Sequence, residues 1–125
     1  MPNQADLAPH ISVVDDDESL RLALVSLLRS LGFTASGFGS AEEFLDSPDM
    51  TSSACLITDI HMPGMNGIEL KHKMTHLRAA LPVIMITARS EPELREKALA
   101  SGAVCVLMKP FDAEKLASCI GQALE

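Results

Sequence analysis

Leu56-Ile57-Thr58-Asp59-Ile60-His61-Met62-Pro63-Gly64 is a short apolar run that delivers one carboxylate and breaks at once into a Pro-Gly turn. A parallel strand ends this way when its last side chain stands at the mouth of a sheet. Ligands of open α/β sheets bind there, outside the carboxyl ends of the strands. A lone acid at such a point is also what an ordinary turn cap looks like. The meaning of Asp59 therefore depends on what the other strand ends carry.

Upstream, Ile11-Ser12-Val13-Val14 is a β-branched run that breaks into Asp15-Asp16-Asp17-Glu18. Leu20, Leu24, Leu27, Leu28 and Leu31 then form a helical stripe closed by Gly32, with Asp17 and Glu18 suited to its first turn. Phe33 to Phe38 alternates like a half-exposed strand, and Ser40-Ala41-Glu42-Glu43 reads as a capping box for a short helix ended by Ser47-Pro48. Downstream, Asn66 and Glu69 open a helix whose buried stripe is expected to be Leu70, Met74 and Leu77. Val83 to Ile86 is continuously apolar, as a central parallel strand is. Ser90-Glu91-Pro92-Glu93 starts another helix, with Leu94 and Ala98 inward and Gly102 as its stop. Val104 to Leu107 is a fifth strand running into Lys109-Pro110, and a last helix from Asp112 presents Leu116, Ile120 and Ala123.

Five β-α units in strict alternation imply right-handed crossovers and a parallel sheet between two helical layers. The expected fold is the flavodoxin-like (βα)5 three-layer sandwich with strand order 2-1-3-4-5. Neither G-x-G-x-x-G after the first strand nor G-x-x-x-x-G-K-S/T occurs, so both common nucleotide-binding readings lapse.

In that order the ends of strands 1, 3, 4 and 5 are neighbours, and they carry Asp15 and Asp16, Asp59, Thr87 and Lys109. Crowded carboxylates need a hard cation, and Mg²⁺ takes one or two carboxylates together with waters and phosphate oxygens. A carboxylate beside such a metal is a competent nucleophile towards phosphorus. The metal and the lysine ammonium would offset the charge of the transferring phosphoryl group, with Thr87 hydrogen-bonding its oxygens. Ala88 is small enough to leave the acid open to a donor. Each residue alone has a plain structural explanation, as a solvated acid run, a cap or an exposed base; their agreement on one mechanism does not.

Bulk properties narrow the classes. The chain has 125 residues, 47% hydrophobic and 22% charged, which suits one globular domain over residues 10–125 behind a polar lead-in, residues 1–9. A net charge of −7, no Lys/Arg cluster, no Trp or Tyr and four Phe argue against direct nucleic-acid contact. The lead-in lacks the apolar core of a signal peptide and no run reaches membrane-spanning length, so a cytoplasmic chain without membrane contact is expected. Cys55, Cys105 and Cys119 lack C-x-x-C spacing and read as reduced, buried thiols. His72 and His76 share metal-ligand spacing, but lie opposite the apolar face with no third ligand near in sequence.

Val13-Val14-Asp15-Asp16-Asp17, Thr58 to Gly67, Ile86-Thr87-Ala88 and Lys109-Pro110-Phe111 together resemble the receiver domain of bacterial two-component response regulators, most closely the FixJ-type among CheY-like receivers. The resemblance runs from about Ile11 to the end of the chain. It implies that Asp59 takes a phosphoryl group from a phosphohistidine of a sensor histidine kinase. It implies that Asp16, Asp59 and the backbone carbonyl of His61 ligate Mg²⁺ (or Mn²⁺), with Asp15 acting through water. Thr87 and Lys109 would contact the phosphoryl oxygens, Lys109-Pro110 would be cis, and His61 and Arg89 would border the pocket and tune the lifetime of the acyl phosphate. Phosphorylation would draw Thr87 inward and repack the face of the fourth helix, fifth strand and fifth helix, which can also carry a homodimer. Such a domain is a phosphorelay switch, commonly controlling transcription through a separate DNA-binding domain, and not a turnover enzyme. One position departs from the pattern: the family usually has Tyr or Phe three residues before the lysine, and here that residue is Val106, whose stiff side chain cannot sweep inward as a ring does. Two rival readings keep the same residues. One is a Mg²⁺-dependent phosphatase with Asp59 as nucleophile and His61 as acid, the other a protein-binding module that does not switch.

Overall fold

A computed structural model describes residues 8–88 and 91–125. Its elements are β1 (His10–Val14), α1 (Glu18–Ser30), β2 (Thr34–Phe38), α2 (Ala41–Leu45), β3 (Cys55–Asp59), α3 (Gly67–Leu77), β4 (Val83–Thr87), α4 (Pro92–Ala100), β5 (Cys105–Met108) and α5 (Ala113–Ala123). A single helical turn, Asp49–Ser52, lies in the crossover between α2 and β3. All neighbouring strands pair in parallel, in the order β2-β1-β3-β4-β5.

Period-two alternation divides the strands between two cores. Ile11, Val13, Ile57, Ile84, Ile86 and Leu107 pack on one face against Leu24, Val25 and Leu28 of α1 and Leu116, Cys119 and Ile120 of α5. Val14, Leu56, Val83, Met85 and Val106 face the other way, against Phe44 of α2, Leu70 and Met74 of α3 and Ala98 of α4. β1, β3 and β4, covered on both faces, are almost wholly buried, whereas the edge strand β2 buries only Ala35.

Side-chain caps fix the starts of α1, α2, α3 and α5. The Asp17 carboxylate accepts from Leu20 N–H, Asn66 and Glu69 form a complete capping box, and Asp112 accepts from Lys115 N–H. Ser40 also caps, accepting from Glu43 N–H, but its box is incomplete: the Glu43 carboxylate takes the Gly39 N–H instead. Leu77 departs from its expected burial, being 50% exposed. It is the last residue of α3; the next, Arg78, leaves helical geometry, and its guanidinium donates to the Ser53 carbonyl at 2.7 Å. Leu81 fills the core there, and Lys71 lies buried on the helix with its ammonium on Thr75 Oγ1 at 2.9 Å.

The expectation of three reduced cysteines is corrected. Cys55 is a free, buried thiol, pushed up to about 12 by burial, but the sulfurs of Cys105 and Cys119 are bonded. Packing of α5 on β5 brings their Cα atoms to 6.0 Å, a separation a disulfide spans readily. Among the described residues, no helix is long and apolar enough to cross a membrane.

Candidate phosphoryl-acceptor site

Asp59 and Thr87 are the last residues of β3 and β4, and Asp15, Asp16 and Lys109 stand directly past β1 and β5. The ladder sets them side by side: Asp59 is in register with Ile86, and Thr87 with Met108. Beyond the last rungs the backbone still pairs. Lys109 N–H donates to the Thr87 carbonyl at 2.7 Å, and Ile60 N–H to the Ile86 carbonyl at 2.9 Å. These bonds hold the strand ends together, so the side chains converge without any inserted loop.

Asp15 is fully buried and Asp59 and Thr87 nearly so, while Asp16 is exposed. One oxygen from each of Asp15, Asp16 and Asp59 lies within 4.8 Å of the others. Lys109 Nζ donates to Asp59 Oδ2 at 3.2 Å and approaches Asp15 Oδ2 at 3.5 Å. The other Asp15 oxygen accepts from Asp17 N–H at 2.9 Å, and Arg21 donates to the Asp15 backbone carbonyl at 2.8 Å. Asp59 Oδ1 accepts from His61 N–H at 3.3 Å.

Charge balance follows from this geometry. Burial raises the Asp15 carboxyl above its ordinary range; the Asp17 N–H opposes the rise, Asp59 adds to it and Lys109 counters it. Burial acts to lower the Lys109 ammonium, but the charges and hydrogen bonds of Asp59 and Asp15 together outweigh it, so Lys109 is raised and stays charged. Among the described residues, three acids at the mouth of the pocket face one lysine. Oxygen donors of this kind and number suit a hard divalent cation.

Two glycines shape the rim. Gly64 adopts φ +73°, a turn conformation that side chains other than glycine rarely take, just after Pro63. Its loop is latched to α2, where Glu42 Oε1 accepts from Met65 N–H at 3.1 Å. The Glu42 carboxyl is lowered by hydrogen bonds from its own N–H and that of Met65. At Gly67 a Cβ would collide with the Asp59 carbonyl oxygen and lie 3.0 Å from Ile60 Cα. The start of α3 is thus pressed against the backbone of Asp59 and Ile60. No sequence pattern short of a resemblance marks that close approach.

The remaining expected site residues fall as follows. Ala88 is exposed beside Thr87, and His61 is half-buried, its Nε2 buried and without a hydrogen-bond partner among the described residues. Val106 is buried in the second core, and Arg95 of α4 donates to its carbonyl at 3.2 Å. Lys109-Pro110 is cis. Arg89 lies outside the described residues. His72 and His76 are both exposed on α3.

A five-stranded parallel sandwich with three acids, a threonine and a lysine at its strand ends defines a class of α/β domains whose acidic pocket is compatible with a divalent cation. The chain belongs to the response regulator receiver domain family, whose model matches residues 11–121. It is 37% identical over 115 residues to the transcriptional regulatory protein FixJ of Bradyrhizobium diazoefficiens, covering 92% of this chain and 56% of that protein. It is 35% identical over 123 residues to the response regulator protein TodT of Pseudomonas putida, covering 98% of this chain and 54% of that protein. The chain therefore spans about half the length of these curated relatives. Among solved structures, FixJ-N superposes with a TM-score of 0.84 at 32% identity, covering 99% of this chain and 95% of that one. A response regulator receiver protein from Burkholderia phymatum gives 0.81 at 41% identity, covering 93% and 94%.

Proposed function

We propose that this domain is the phospho-acceptor switch of a two-component system, with Asp59 as the acceptor. The observation that carries the reading is the Asp59 carboxylate, held 3.2 Å from Lys109 Nζ within a cluster of three acids. In the proposed step an Asp59 oxygen attacks phosphorus, the P–N bond of a phosphohistidine on a sensor histidine kinase breaks, and the imidazole leaves. Lys109 neutralises one phosphoryl oxygen and Thr87 hydrogen-bonds another. Asp16, Asp59 and the His61 carbonyl would hold Mg²⁺ or Mn²⁺, with Asp15 joined through water; the ion supplies charge neutralisation of the phosphoryl group. His61 and Ala88 border the pocket, and these two, together with Arg89, would set how easily water reaches the acyl phosphate.

The output we propose is a repacking of the α4-β5-α5 face, with a second copy or a partner domain as its target. Val106 has no ring to swing, so the change is carried by Thr87, by the backbone of β5 and by the Arg95 hydrogen bond to the Val106 carbonyl. Transcriptional control is the output named for FixJ and DctD, and it is proposed here through a separate domain, with no nucleic-acid contact by this one. A cytoplasmic setting and the absence of small-molecule turnover complete the reading. A DrrB receiver domain activated by BeF3 shares this fold, with a TM-score of 0.85 at 27% identity.

Intact mass after incubation with acetyl phosphate, with and without Mg²⁺, tests the reading. One phosphoryl increment that requires both Mg²⁺ and Asp59, and is lost in Asp59→Asn, is the expected result. Steady turnover of a phosphomonoester would favour a phosphatase. Partner affinity unchanged by phosphodonor would favour a non-switching module.

A further inference from the structure

The Cys105–Cys119 bond joins β5 to α5 across a sequence separation of 14. Lys109, Pro110 and Phe111 all fall inside the segment it closes. β5 is an edge strand, and Cys105 is a partly buried residue whose sulfur lies 3.3 Å from Gln122 Oε1, Gln122 being exposed on α5. Cys119 is 7% exposed, in the core beneath α5. The pair thus has one sulfur that small thiols can reach and one held behind it, the arrangement of an attacked and a resolving cysteine.

We propose that Cys105 and Cys119 form a reversible dithiol–disulfide pair whose oxidation fastens α5 to β5 and stiffens the connection that carries Lys109. Reversibility rests on the cytoplasmic setting proposed above, where thiols are kept largely reduced and a disulfide that does form usually cycles. The oxidant is a low-molecular-weight disulfide such as glutathione disulfide. The Cys105 thiolate attacks one of its sulfurs, forming a mixed disulfide and releasing one glutathione thiolate, which takes up the proton lost from Cys105. The Cys119 thiolate then attacks the Cys105 sulfur, the protein disulfide forms, and the second glutathione leaves with the Cys119 proton. Two protein thiols are oxidised and one small disulfide is reduced to two thiols. An excess of reduced glutathione runs the steps backwards. Cys55 takes no part, being buried in the core on β3.

The whole chain is equilibrated in glutathione buffers of graded ratio, trapped with N-ethylmaleimide and weighed intact. The expected oxidised species is monomeric, two hydrogens lighter and without label at Cys105 and Cys119, and it returns to the dithiol in reduced buffer. Hydrogen exchange on the two forms then reads the connection: amides of residues 108–118 should exchange about tenfold faster in the dithiol. The double variant Cys105→Ser/Cys119→Ser should match the dithiol at every buffer ratio. Persistent glutathione adducts, disulfide-linked dimers, or equal exchange in the two forms would overturn the proposal. Neither readout involves phosphoryl transfer, so its failure is distinct from failure of the acetyl phosphate experiment.

Discussion

Lys109 Nζ lies 3.2 Å from Asp59 Oδ2, and this ion pair links the two residues on which acceptor chemistry would depend. It also stabilises the pocket before any phosphoryl group arrives. Lys109→Met is expected to lower folding stability at neutral pH by about 1.5–3 kcal/mol, the usual worth of a hydrogen bond to a charged group. Urea unfolding checks this. No loss at pH 7 would mean that the acids relax apart at no cost once the lysine is gone.

Asp15 gives the metal-free protein a pH dependence of definite sign. Its carboxyl is raised in the fold from an ordinary 3.8, so the native state binds that proton more tightly than the unfolded chain. The stability it contributes is fully present below the ordinary value and is lost as pH rises through the raised one. In EDTA-treated protein, Asp15→Asn should therefore gain on the wild type in urea midpoint as pH climbs from about 4 towards neutrality. Parallel curves across that window would contradict the assignment.

Metal should reverse that loss. At ten times its dissociation constant, Mg²⁺ stabilises a fold that alone binds it by about 1.4 kcal/mol. The expected result is a rise in the wild-type urea midpoint on adding Mg²⁺ and little or none in Asp16→Ala. A rise of equal size in the variant would remove Asp16 from the ligand set.

Gly67→Ala should cost about 1–3 kcal/mol, because its Cβ would drive the start of α3 away from the Asp59 carbonyl. A neighbouring helix position, Glu69→Ala, loses one half of the capping box and should cost about 1 kcal/mol. Thermal melts distinguish the two. A Gly67→Ala melting temperature equal to that of the wild type would show that α3 can shift without penalty.

Cys55 should be inert in the native protein. Its thiol is buried and pushed up to about 12, so little thiolate exists at pH 8. N-ethylmaleimide should add to it only after unfolding, as followed by peptide mass. Rapid native labelling would place it at the surface.

Much of this was legible from residues alone, because every strand but β2 contains an apolar run and ends in a chemically distinct group. Asp59, Thr87 and Lys109 could be placed by counting to the end of a run, and the alternation of elements fixed the sheet order. What escaped depended on packing between distant segments. Cys105 and Cys119 carry no spacing signature and meet only because α5 lies on β5. The Asp49–Ser52 turn is too short and polar to show a period. Leu77 obeyed the helical stripe, yet α3 ends at that residue, where Arg78 turns the chain towards Ser53. The cis Lys109-Pro110 bond came from family resemblance and not from the residues themselves.

After β1 the chain turns outward to β2, and after β3 it turns the other way to β4, so the two connections part over the strands bearing Asp15 and Asp59. The crevice is thus produced by connectivity, whatever side chains occupy it. Core and chemistry become separately editable: residues at the strand tips can be exchanged without repacking Ile57 or Ile84 below. Gly39, just past β2 and at the opposite margin from Lys109, offers an engineer a position for a new functional group, since a Cβ there would meet only ordinary contacts with Arg21 and Glu43.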